Sequence, residues 1–151
     1  MAAFGATIQP LAHCIYKQGG ILRRILTMAL GVALGANGAW MLVAPMNWYR
    51  WIPGVVGTGP ANLHFIRDIG CAYLVAGLSV IWLGRAPRLA WPAALAIGTF
   101  LGLHALVHLY DFFTGHESAR NLMGDVPAVL LPAALVIWLA WQGRREAQTE
   151  R

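Results

Sequence analysis

The sequence predicts an all-α integral membrane protein, an antiparallel bundle of four transmembrane helices, and three observations carry that reading. Of 151 residues, 58% are apolar and 11% charged, a balance foreign to an ordinary soluble domain. The apolar residues gather into four runs, each long enough to cross the hydrocarbon core of a bilayer. Nearly all of the cations flank these runs, which is how membrane proteins set their orientation. The net charge of +5 is therefore read as orientation, and no nucleic-acid partner is expected.

Residues 1–24 read as a cytoplasmic tail. They carry Pro10, Gly19 and Gly20 and lack the charged region that precedes the apolar core of a signal peptide. Arg23-Arg24 introduces the first span, Ile25 to Ala44. Small residues at Ala36 and Gly38 would suit a signal peptidase, but Trp40-Met41-Leu42-Val43 continues the run and favours a retained signal-anchor. The connection from Pro45 to Pro60 holds Trp48, Tyr49 and Trp51, an aromatic density typical of a membrane interface. Asn62 is a suitable N-cap for a second span from about Leu63 to Leu83. A basic turn, Gly84 to Arg88, leads to a third span that starts at Trp91-Pro92 and reaches about Phe113. Thr114 to Gly124 reads as a polar loop in which His116, Glu117 and Arg120 are solvated. Asp125 then caps a fourth span, Val126 to Gln142, with Pro132 as its kink. The bundle thus occupies residues 25–142, and residues 143–151 form a second cytoplasmic tail.

Lys17, Arg23, Arg24, Arg85, Arg88, Arg144, Arg145 and Arg151 fall on one side of this arrangement, and Arg50, Arg67 and Arg120 on the other. The positive-inside rule then places both termini in the cytoplasm of a bacterial inner membrane. Trp82, Trp91, Trp138 and Trp141 mark the inner interface, while Trp40, Trp48 and Trp51 mark the outer one. Gly31 with Gly35, and Gly98 with Gly102, give the first and third spans a small-xxx-small face. Such faces suit another span, a second copy of the chain or a membrane-protein partner. Cys14 and Cys71 lie in different settings and are not expected to form a disulfide.

Ionisable residues concentrate toward one side. His104, His108 and Asp111 share a face of the third span through spacings of four and three residues. His64, Asp68 and Cys71 repeat the spacing on the second span, with Arg67 one step aside. Lipid disfavours charge, so the two stripes are expected to face each other. His64, Asp68, His104, His108 and Asp111 are then candidate ligands for zinc, iron, manganese or copper, because neutral imidazole and carboxylate suit these ions. Arg67 would balance charge or hold an anionic substrate, with Tyr110 beside the cofactor. Three other readings stand: haem held by one histidine from each span, a proton or quinone pathway, and a non-catalytic protein whose ion pairs lock its helices.

The segment from Arg23 to Pro45, with its spaced glycines and terminal Ala44-Pro45, resembles the first span of small bacterial four-helix membrane proteins of the DoxX-like type. The stretch Arg67-Asp68-Ile69-Gly70 is similar as well. The resemblance implies a four-span inner-membrane bundle and an association with quinone-linked or sulfur redox systems. The pair His104 and His108 lies outside that pattern, and no functional residue is carried over.

Overall fold

The computed structural model describes residues 3–149, and side chains for residues 20–149. The readings that involve Cys14 and Lys17, and the last two residues of the C-terminal tail, lie outside the described side chains. Six α-helices follow in order: α1 (Ala3–Val43), α2 (Pro45–Trp51), α3 (Leu63–Arg85), α4 (Pro87–Phe113), α5 (Ala119–Asp125) and α6 (Leu131–Gln148). A 3-10 turn, Val55–Thr58, lies between α2 and α3, and a π-helical segment, Val126–Leu130, joins α5 to α6. There is no strand among the described residues. Four helical stretches, Gly20–Val43, Leu63–Arg85, Pro87–Phe113 and Ala119–Gln148, are long and apolar enough to cross a membrane.

Local signals account for the boundaries. The Asn62 side chain accepts a hydrogen bond from the Phe65 amide at 3.1 Å and so caps α3. Between α3 and α4 the turn reduces to Ala86, because Pro87 supplies the fixed φ that a first helical residue needs. The third helix therefore starts four residues before the expected Trp91, and Pro92 is absorbed inside it. At the other end, Ser118, not Asp125, caps the last of these four stretches, accepting from the Asn121 amide at 3.3 Å. Asp125 makes no side-chain cap. The helix runs through it and widens to a π turn, where the Leu131 amide reaches the Val126 carbonyl. Pro127 and Pro132 lack the N–H groups that regular α-helical bonding would use, and a π turn absorbs that mismatch.

The expected interfacial connection is folded. The Trp48 indole donates to Asn37 Oδ1 at 2.9 Å, which satisfies a polar side chain inside α1. The Tyr49 hydroxyl donates to the Gly59 carbonyl at 2.6 Å and closes the loop around the 3-10 turn.

Packing follows the small residues. α1 lies on α3, α4 lies on α6, and α3 against α4 joins the pairs. Along the first pair, Gly84 meets Met28, Gly77 meets Gly31 and Gly35, and Gly70 meets Gly38 and Met41, so residue numbers rise on one helix as they fall on the other. A Cβ on Gly38 would lie 2.5 Å from the Leu74 nitrogen and 2.6 Å from the Gly70 oxygen. Backbone touches backbone here, which only glycine permits. Gly98 lies against the side chains of Val136 and Ile137, while Gly143 meets the Pro87 carbonyl and Trp91. The small-xxx-small faces of the first and third spans thus meet other helices of the same chain.

The interior combines Ala76, Ala90, Ala94, Ala105, Ala133 and Ala140 with larger apolar residues such as Met41, Tyr73, Val80, Leu101 and Val136. Ile25, Val32, Leu78, Leu103 and Leu106 are each more than half exposed. Large apolar residues thus lie on the outside as well as the inside, and so extensive an apolar surface suits helices packed in lipid.

Candidate metal centre

The chain reverses tightly after α4. Gly115 adopts a φ of +78°, its amide donates to the Phe112 carbonyl at 3.2 Å, and the His116 amide donates to the Asp111 carbonyl at 2.8 Å. These are the two bonds of a Schellman cap, which requires a residue in the left-handed region and so selects glycine. The Glu117 amide also donates to the Asp111 carbonyl, at 3.1 Å. This turn directs the Glu117 side chain back under the end of α4.

There it joins His108 and Asp125. His108 Nδ1 lies 2.8 Å from Asp125 Oδ2 and 3.8 Å from Glu117 Oε2. One donor atom from each of the three residues lies within 4.8 Å of the others. The side chains of His108, Glu117 and Asp125 are 25%, 15% and 16% exposed. Gly54, at a φ of +84°, covers this group from the α2–α3 connection. A Cβ at Gly54 would come within 3.8 Å of Glu117 Oε1 and 3.7 Å of the Asn121 side chain.

Electrostatics tie the group together. Burial lifts the Glu117 carboxyl above the usual carboxylate range, and the neighbouring Asp125 lifts it further. His108 and a hydrogen bond with Asn121 oppose the shift. With Asp125 accepting from Nδ1–H, the His108 tautomer leaves Nε2 as the basic nitrogen.

An aromatic column continues from the cluster toward the middle of the molecule. The His104 and His108 rings meet edge to face at 4.8 Å between centroids. His104 is stacked on Phe100 at 6.4 Å and meets Tyr73 of α3 edge to face at 6.1 Å. Gly98 and Gly102 contact α6 while His104 contacts α3, so the glycine and histidine stripes of α4 have different neighbours.

The other residues singled out by spacing lie apart from this group. His64 and Asp68 sit 3.4 Å from each other on the outside of α3, with side chains 89% and 59% exposed. Arg67 and Cys71 are exposed as well, and Cys71 is a free thiol. The expectation that the two stripes face each other is corrected: α3 turns its glycines toward α1 and its ionisable residues outward. Tyr110 is 65% exposed. Asp111 contributes its backbone carbonyl to the cap. Two further readings change. Glu117, expected to be solvated, is the most enclosed member of the cluster, and Asp125, expected to cap a helix, binds an imidazole. Comparison with family models, with curated proteins and with solved structures gave no match. The chemistry of the cluster therefore carries the functional argument.

Proposed function

We propose that the chain is an integral membrane protein, an antiparallel four-helix bundle, which binds a divalent transition metal ion through His108, Glu117 and Asp125 at one end of the bundle. The convergence of these three donors is the observation that carries the reading. Ligands of one ion at about 2.0–2.2 Å from it lie roughly 3–4 Å from each other, and the two distances from His108 Nδ1 are 2.8 and 3.8 Å. One nitrogen and two carboxylates suit zinc, manganese or iron. An arriving ion would displace any proton held by Glu117, and binding at His108 Nδ1 would leave the single proton of the neutral imidazole on Nε2. Three protein ligands leave a coordination position open, the arrangement used by metal sites that hold water or substrate. His104, packed edge-on against His108, orients that ring. On the charge distribution, the site belongs to the periplasmic side of a bacterial inner membrane.

Elemental analysis of protein purified in mild detergent, followed by titration with zinc, manganese and iron(II), tests this reading. About one ion per chain is expected, with binding lost in His108→Ala and strongly weakened in Asp125→Asn. Absence of saturable binding of any of these ions, or binding undiminished in both variants, overturns it.

A second reading rests on the 2.8 Å bond between His108 and Asp125, which by itself ties α4 to the last spanning stretch. Under this structural role, His108→Ala lowers the unfolding temperature equally with and without a chelator. The metal reading instead requires the chelator to remove most of the difference.

A further inference from the structure

We propose that the groove between α4 and α6 binds one acyl chain of an anionic phospholipid, with Arg144 and Arg145 holding its phosphate. The inference rests on the membrane reading given above and is independent of the metal site, which occupies the opposite end of the helices.

A surface groove of about 520 Å³ is lined by Trp91, Leu95, Ile137, Trp138, Trp141 and Arg144, together with alanines of α6. From Ala134 to Arg144 it follows α6 for about 15 Å, at 1.5 Å per residue. That length is one leaflet, half of a hydrocarbon core about 30 Å thick. A crossing protein helix would need the full thickness, whereas a single lipid tail needs half. The wall is apolar along its length and charged only where it ends. Tryptophans there mark the depth at which headgroups begin.

At that end Arg144 lies 5.7 Å from the centre of the Trp91 ring, and Arg145 lies 3.6 Å from that of Trp141. Both guanidinium groups are thereby positioned over aromatic faces, on residues that are themselves exposed. Arg24 and Arg85 belong to the same end of the helices. The described carboxylate there, Glu146, is engaged by Arg23. The mouth of the groove thus carries an excess of cations above an apolar slot one leaflet long. A tail with a phosphate and net negative charge fits both parts, since basic pockets between spanning helices select such headgroups.

The test uses the full chain, extracted from membranes that resist carbonate washing, so that failure of the membrane reading shows at this first step. The unfolding temperature is then followed in non-ionic detergent with EDTA present, so that metal binding plays no part. Palmitoyl-oleoyl phosphatidylglycerol, the matching phosphatidylcholine and sodium phosphate are each titrated. A saturable rise with phosphatidylglycerol alone is expected. Arg144→Gln with Arg145→Gln should weaken the apparent affinity at least about tenfold. Ala134→Trp, which fills the groove from an exposed position and leaves the arginines intact, should do the same. An equal rise with phosphatidylcholine, a rise with phosphate alone, no rise at all, or an unchanged response in both variants overturns the proposal.

Discussion

Glu117 has a carboxyl that is largely covered and placed near a second carboxyl and an imidazole. Its affinity for a proton is raised above the ordinary value, by burial first and Asp125 second. The consequence for stability has a definite sign. A group whose pKa is higher folded than unfolded stabilises the fold fully below its unfolded value, about 4.5. That contribution disappears as pH rises through the folded value. Denaturation in detergent without metal should therefore show stability falling as pH climbs from about 4 toward neutrality, and Glu117→Gln should flatten this dependence. A steeper fall in the variant than in the parent would refute the assignment. Metal affinity should follow the opposite course and strengthen with rising pH, because the ligands must release protons to bind.

Among the elements, α1 and α3 are held at backbone distance by their glycines. A methyl group on Gly38 meets the Leu74 nitrogen and the Gly70 oxygen, and neither can swing away as a side-chain tip would. Gly38→Ala should cost about 1–3 kcal/mol, the range for overpacking a tight interface. Gly20, in the same helix, has nothing within 4 Å of its missing Cβ. Gly20→Ala should be neutral or stabilise by up to about 1 kcal/mol through helix propensity. Thermal unfolding of both variants checks the contrast, and similar losses in the two would mean that the contact is not what holds the helices together. The same glycines set the fate of the ionisable stripe. Gly70, Gly77 and Gly84 lie about 200–240° around the helix from His64, at about 100° per residue. Once they claim α1, His64 and Asp68 must turn outward. This repeat of seven stood in the sequence and could have corrected the expectation that the two stripes meet.

For the molecule as a whole, large apolar residues are exposed along all four long apolar helical stretches. The chain should consequently remain in the membrane pellet after carbonate extraction. Reporter fusions at both termini should report the cytoplasm, with a glycosylation or thiol-labelling tag inserted near Gly57 exposed outside. Labelling of that tag only after membrane disruption would reverse the orientation. In the expected orientation the metal cluster lies at the outer face and the proposed lipid groove at the inner one, so the two can be altered separately. Loss of metal binding should leave the lipid response intact, and filling the groove should leave metal binding intact.

Composition and periodicity were enough to establish four apolar helices, the N-cap at Asn62 and the close-approach face of Gly31 and Gly35. These features depend on properties local to a segment: its hydropathy, its caps and its helical period. His108 was also legible, through its spacing from His104. Glu117 and Asp125 were not, although the stop signal Phe113-Thr114-Gly115 lay in view. Their place beside His108 arises only when a Schellman turn reverses the chain, a π turn adjusts the last helix and the Gly54 loop closes over the end of the bundle. Helical spacing says which side chains share a face. Which face is buried, and which distant carboxylate meets it, is settled by the packing of helices whose contacts are far apart in the chain.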